Sequence, residues 1–166
     1  MASDVFHPFP PVFCESSSVL ILGSFPSVRS RGEGFYYGHP RNRFWRVIAG
    51  IFGEDVPCDT EARRDFLLAH RIALWDVVSS CEIEGSADSS ISRAAANDIG
   101  VILDRADINA VFTNGAAAHR LYRKLIFPEY AVEDVPLPST SPANARISEA
   151  QLTARWMCVR DAVMGI

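Results

Sequence analysis

Four consecutive apolar residues, Val19-Leu20-Ile21-Leu22, run directly into Gly23-Ser24-Phe25-Pro26-Ser27. A run this short and this apolar suits a strand buried on both faces, as in the middle of a parallel sheet. The Gly/Ser/Pro turn that stops it places a loop at the carboxyl edge of that sheet. Open α/β sheets hold their ligands outside that edge.

The rest of the chain repeats the alternation. Asn42–Phe52 carries Phe44, Trp45, Val47, Ile48, Ile51 and Phe52 at helical spacing and stops at Gly53. Thr60–His70 reads as a second helix. Ile72–Trp75 reads as a second strand running into Asp76-Val77-Val78. Asp98–Arg105 is a weaker helix, and Asn109–Thr113 a third strand. Asn114-Gly115 turns that strand into the Ala-rich helix Ala116–Leu125. Tyr130–Leu137 reads as a fourth strand. Ser148-Glu149-Ala150-Gln151 has the spacing of a capping box and opens a last helix to about Met164. The Pro- and Ser-rich stretch up to residue 18 reads as a lead-in arm, and polar residues 79–92 as a surface loop. No repeat or linker divides the chain. The expectation is a single α/β domain over 1–166, a three-layer sandwich with a mainly parallel four-stranded sheet flanked by helices.

A length of 166 residues suffices for one solid core. No apolar run approaches the roughly 20 residues of a membrane span, and Met1–Val5 shows no signal-peptide pattern. The expected setting is therefore cytoplasmic, with no membrane partner. Cys14, Cys58, Cys81 and Cys158 lie far apart, as do His7, His39, His70 and His119. No metal or cofactor site is expected from them. The net charge of −4 argues against broad coating of nucleic acid. Yet Arg29, Arg31, Arg41, Arg43 and Arg46 face only Glu33 between positions 29 and 46. That local excess of about four positive charges suits a site for an anionic partner.

Loops 23–45, 75–90 and 138–147 leave the carboxyl ends of strands and converge on one rim. Asn42 stands just before an apolar helix, so it serves either as N-cap or as a polar group for chemistry. Asp76 ends a strand; as a carboxylate it would only accept hydrogen bonds. Ser139, Thr140 and Ser141, set between Pro138 and Pro142, make either a simple turn or a grip on phosphate. G-x-G-x-x-G and G-x-x-x-x-G-K-[ST] are both missing, which counts against a nucleotide-binding protein.

These residues resemble the uracil-DNA glycosylase superfamily. Gly23-Ser24-Phe25-Pro26-Ser27 sits where its first motif lies. Gly34-Phe35-Tyr36-Tyr37-Gly38-His39-Pro40-Arg41-Asn42-Arg43-Phe44-Trp45 resembles the continuation in the mismatch-specific branch. Pro138-Ser139-Thr140-Ser141-Pro142 resembles the Pro-Ser loop that enters the minor groove. Together with Leu74-Trp75-Asp76-Val77 and Pro142-Ala143-Asn144, the pattern is most similar to the hypoxanthine-DNA (deoxyinosine) glycosylase branch, family 6.

The resemblance implies a monofunctional glycosylase of base excision repair. It would need no cofactor and would act as a monomer on double-stranded DNA carrying a deaminated base, with single strands left open as substrates. Its use would be at the nucleoid. One departure is Phe25, where the superfamily usually has Asp or Asn to handle water. Asn42 is the implied replacement. Ser24, Phe25, Tyr37 and Asp76 would form the base pocket, with Tyr36 competing for the stacking place of Tyr37. Ser27, Arg41, Arg43, Ser139, Thr140, Ser141, Asn144 and Arg146 would contact DNA. The motif loops hold no lysine for Schiff-base chemistry, so lyase activity is not expected. Two alternatives stay open: mismatch uracil removal, and a catalytically inactive module that binds damaged DNA.

Overall fold

A computed structural model describes residues 3–83 and 91–166 of the chain. The apolar run at Val19 is strand β2 (Val19–Gly23), preceded by a short β1 (Ser3–Phe6). Helices α1 (Val28–Glu33), α2 (Phe44–Phe52) and α3 (Thr60–Ala69) follow, then β3 (Ile72–Asp76), β4 (Val78–Ile83) and β5 (Ser92–Ala96). The second half holds α4 (Gly100–Leu103), β6 (Ala110–Asn114), α5 (Ala116–Leu125), α6 (Phe127–Tyr130), β7 (Asp134–Leu137) and α7 (Glu149–Met164).

The central sheet is four-stranded and parallel, in the order β3-β2-β6-β7. Its side chains alternate between two cores. Val19, Ile21, Ile72 and Leu74 face α2, α3 and α7, where Phe44, Ile48, Leu152 and Trp156 are buried. Leu20, Leu22, Ala73 and Val111 face the α4–α6 side with Ile102, Leu121 and Tyr122. This is the expected three-layer α/β sandwich. The capping box forms with both of its bonds, Ser148 Oγ taking the Gln151 N–H and Gln151 returning to Ser148 N. Among the described residues, no helix is long and apolar enough to cross a membrane.

Two local expectations are corrected, and the N-terminal arm gains detail. The surface loop at 79–92 instead begins and ends in strands. β4 pairs antiparallel with β1 and β5 in a second, three-stranded sheet, and residues 84–90 lie outside the described residues. Ser/Ala-rich strands lack the β-branched signature, and here backbone pairing supplies what composition does not. The N-terminal arm contains β1 and also packs along the central sheet. Val12 exchanges both backbone hydrogen bonds with Leu74 and so covers the free edge of β3. Tyr130–Leu137 is shortened to Asp134–Leu137, because Pro128 near the start of α6 favours a helical turn first.

The chain swerves between sheets at Val77. Val77 N–H and Val78 N–H continue the β3 ladder onto the carbonyls of Gly23 and Ser24, at 2.8 and 3.1 Å. Asp76 is thereby set beside the first-motif turn.

Candidate active site

The carboxyl rim of the sheet carries a cavity of about 310 Å³, a size suited to a small-molecule ligand. It is lined by Ser24, Phe25, Ser27, Tyr37, Asn42, Asp76, Ser139, Thr140 and Ser141, all named from the sequence. Tyr36, His39, Asn114 and Pro142 line it as well. Arg41, Arg43, Asn144 and Arg146 do not.

Gly23 forms part of the floor. A Cβ there would collide with Asp76 Oδ1 and stand 2.9 Å from the Tyr37 hydroxyl, so only glycine lets these two groups approach. Asp76 is buried, and its Oδ2 lies 2.8 Å from His7 Nε2. Its main chain is held by Asn97, whose Nδ2 donates to the Asp76 carbonyl at 2.9 Å and to the Val78 carbonyl at 3.2 Å. Phe25 belongs to the core beneath the turn and also walls the cavity, so its two readings coexist.

Tyr37 adopts a left-handed backbone conformation, φ 54°, which is strained for a tyrosine. Its ring stacks on Phe44 at 4.1 Å between centroids, with 16° between planes. Tyr36 turns into the core instead, donating its hydroxyl proton to the Pro10 carbonyl at 2.9 Å. Burial, then the neighbouring Asp76 and Tyr37, push its pKa well above the ordinary tyrosine range, so it serves as no base.

Asn42 satisfies the first N–H of α2 from the position before the N-cap, Arg43. Its Oδ1 accepts the Phe44 N–H at 3.0 Å, while its own N–H donates to the His39 carbonyl at 2.9 Å. His39 Nδ1 accepts the Arg41 N–H at 3.1 Å, which places the proton of a neutral ring on Nε2.

The Pro138 loop is held from within. Asn114 Nδ2 donates to the Tyr37 hydroxyl at 3.1 Å and to Thr140 Oγ1 at 3.0 Å, and Asn114 Oδ1 takes the Thr140 N–H at 3.1 Å. Thr140, expected against phosphate, is completely buried, and its hydroxyl works inward. Asn144 folds back on Ser139, donating to its carbonyl at 3.0 Å. Ser27 caps α1 through its side chain.

Arg43 was also expected on DNA. Its guanidinium instead donates to the carbonyls of Ile147 (2.6 Å) and Asn144 (2.9 Å), bracing the loop from behind. The other arginines of the basic run divide similarly. Arg29 pairs with Glu33, Arg46 pairs with Glu149, and Arg31 lies over Phe25. Arg41 and Arg146 are exposed, with no side-chain partner among the described residues. No group of histidine, cysteine or acidic residues among those described could hold a metal ion.

Over residues 10–162 the chain matches the profile of the family described as the Uracil DNA glycosylase superfamily. The chain belongs to that superfamily. Among its relatives is a protein named Hypoxanthine DNA glycosylase from Methanosarcina barkeri. It is 36% identical over 140 residues, covering 83% of this chain and 87% of the relative. A protein of the same name from Methanosarcina acetivorans is 36% identical over 153 residues, covering 91% and 95%. A solution NMR structure from Methanosarcina acetivorans, described as a candidate uracil DNA glycosylase, superposes with a TM-score of 0.75. It is 34% identical and covers 92% of this chain and 96% of its own.

Sequence reasoning missed two residues of this superfamily member's site. Asn114 ends β6, a carboxyl strand end like those of β2 and β3, so the rim rule already pointed to it. His7 arrives through β1, an element that no motif announces.

Proposed function

We propose that this DNA glycosylase excises hypoxanthine from deoxyinosine in DNA. The carrying observation is the placing of Asp76, with Oδ2 bound by His7 and Oδ1 over Gly23 beside Tyr37. The names of two relatives that align over most of the chain support the choice of base.

A base inside a duplex is out of reach, so the nucleotide is extruded into the cavity. Phe25 walls the base, and Tyr37, backed by Phe44, stacks on it. Asp76 Oδ1 accepts the ring N–H of the pairing edge. Hypoxanthine carries that N–H, while adenine has a bare acceptor nitrogen there and is repelled. Guanine also carries the N–H, so its exclusion falls to the shape of the cavity around its exocyclic amine.

The N-glycosidic bond breaks ahead of water attack, the base leaves with the bonding pair, and it takes up the proton that the attacking water releases. Asn42 orients the water toward the sugar carbon, using the lone pair on Oδ1 that Phe44 leaves over. Backbone N–H groups and the DNA phosphates stabilise the developing charges. Ser139 and Ser141 meet the backbone of the DNA. Arg41 and Arg146 supply charge, and the protein works as a monomer on duplex DNA.

The test is a duplex with one deoxyinosine, incubated with the protein and then split into samples with and without alkali. We expect strand breakage only after alkali, the mark of an abasic site. Breakage without alkali would overturn the monofunctional reading. No breakage in either sample, with tight lesion binding, would make the protein a binding module.

A further inference from the structure

His7 lies outside every sequence motif, yet its ring stands behind Asp76, which lines the cavity. It follows β1, and its N–H donates to the Ser79 carbonyl at 2.7 Å. The ring sits edge-on to Phe9 at 4.7 Å between centroids, with Phe25 and Tyr36 each at 6.0 Å. Nε2 is 2.8 Å from Asp76 Oδ2, and the two side chains are 4% and 5% exposed. Nδ1 is buried without a partner. A bare ring nitrogen there leaves a lone pair unmet, whereas an N–H would be a buried donor with nothing to receive it. The tautomer with its proton on Nε2 therefore fits these surroundings, and it donates to Oδ2.

That donation decides what Asp76 shows to a ligand. Oδ2 is occupied by an N–H and has no room for a proton of its own on that side. Oδ1 has no hydrogen-bond partner among the described residues and lies close over Gly23, and Asp76, Gly23 and Tyr37 all line the cavity. Asn97 fixes the main chain from behind. The carboxylate cannot swing away without losing the His7 bond, and a half-turn only exchanges two equivalent oxygens.

We propose that His7 is a positioning residue for base selection. It holds Asp76 as a single-oxygen acceptor aimed into the cavity, so that a base with a ring N–H is taken and one with a bare nitrogen is refused. This rests on the reading of Asp76 as the group that meets the base edge.

The experiment measures single-turnover release of hypoxanthine by the parent protein and by His7→Phe, His7→Gln, Asp76→Ala and the His7→Phe/Asp76→Ala double variant. Melting temperatures are taken for each. Phe keeps the ring and its contacts but cannot donate; Gln restores an N–H at similar reach. Losing a hydrogen bond to a charged group predicts a fall of roughly 10- to 100-fold for His7→Phe. His7→Gln should recover most of it, and His7→Phe should cost nothing further once Asp76 is alanine. An equal loss in both backgrounds, or no recovery by Gln at an unchanged melting temperature, would show that His7 does not act through Asp76. Imidazole nitrogen NMR of the parent protein supplies a second readout. If the parent releases no base, the functional reading falls and the spectrum still decides the pairing. A proton on Nε2 whose signal moves in Asp76→Ala upholds it, and a proton on Nδ1 overturns it.

Discussion

In the proposed mechanism the amide of Asn42 answers two demands with one carbonyl oxygen. One lone pair takes the Phe44 N–H and begins α2; the other is left for water. Removing the side chain therefore touches stability and chemistry together. Asn42→Ala should lose about 1 kcal/mol of stability and roughly two to three orders of magnitude in turnover. Asn42→Ser separates the effects, because a serine hydroxyl still caps but does not reach a water in the cavity. The Ser variant should melt near the parent, bind DNA and release base as poorly as the Ala variant. Full activity in Asn42→Ser would reduce Asn42 to a cap. From the sequence, Asn42 reads as cap or as water-positioning group, one oxygen serving both only in part, since spacing alone cannot show how its lone pairs are used.

At the scale of elements, the Pro138 loop is built more like a braced strut than a flexible arm. Arg43 ties it to α2 through two carbonyls, Asn114 ties it to β6 through Thr140, and Trp156 Nε1 donates to the Pro138 carbonyl from α7 at 2.9 Å. Arg41 and Arg43 should therefore behave differently. Arg41→Ala should lower the salt dependence of DNA binding by about one phosphate contact. Arg43→Ala should leave that slope nearly unchanged while speeding amide hydrogen exchange at Ser141 and Asn144. Equal slopes lost in both variants would return Arg43 to the DNA face. The central elements were legible because their signals are local: the apolar run of β2, the spacing in α2, the capping box of α7. The β1-β4-β5 sheet was not, because Val78–Ile83 and Ser92–Ala96 are polar and small and are strands only by virtue of each other and of β1. A charge sum likewise overstated the basic face, since it cannot tell Arg43, turned inward, from Arg41, turned out.

Taken whole, the molecule places a modest positive rim on an acidic body. A net charge of −4 with Arg41 and Arg146 exposed near the cavity favours local capture of DNA over coating of it. The two sheets divide the labour. The parallel sheet carries the motif loops, and the antiparallel sheet delivers His7 to Asp76 across a separation of 69 residues. Both meet at Asp76, the carboxylate proposed to select the base. The most direct test is the identity of the base released by the parent protein. Matched duplexes carrying deoxyinosine, deoxyuridine or deoxyadenosine at one position should be compared under single turnover, with the free base identified by mass. Hypoxanthine should be released faster than uracil, and no adenine should appear. Release of uracil alone, or of adenine alongside hypoxanthine, would contradict this selectivity.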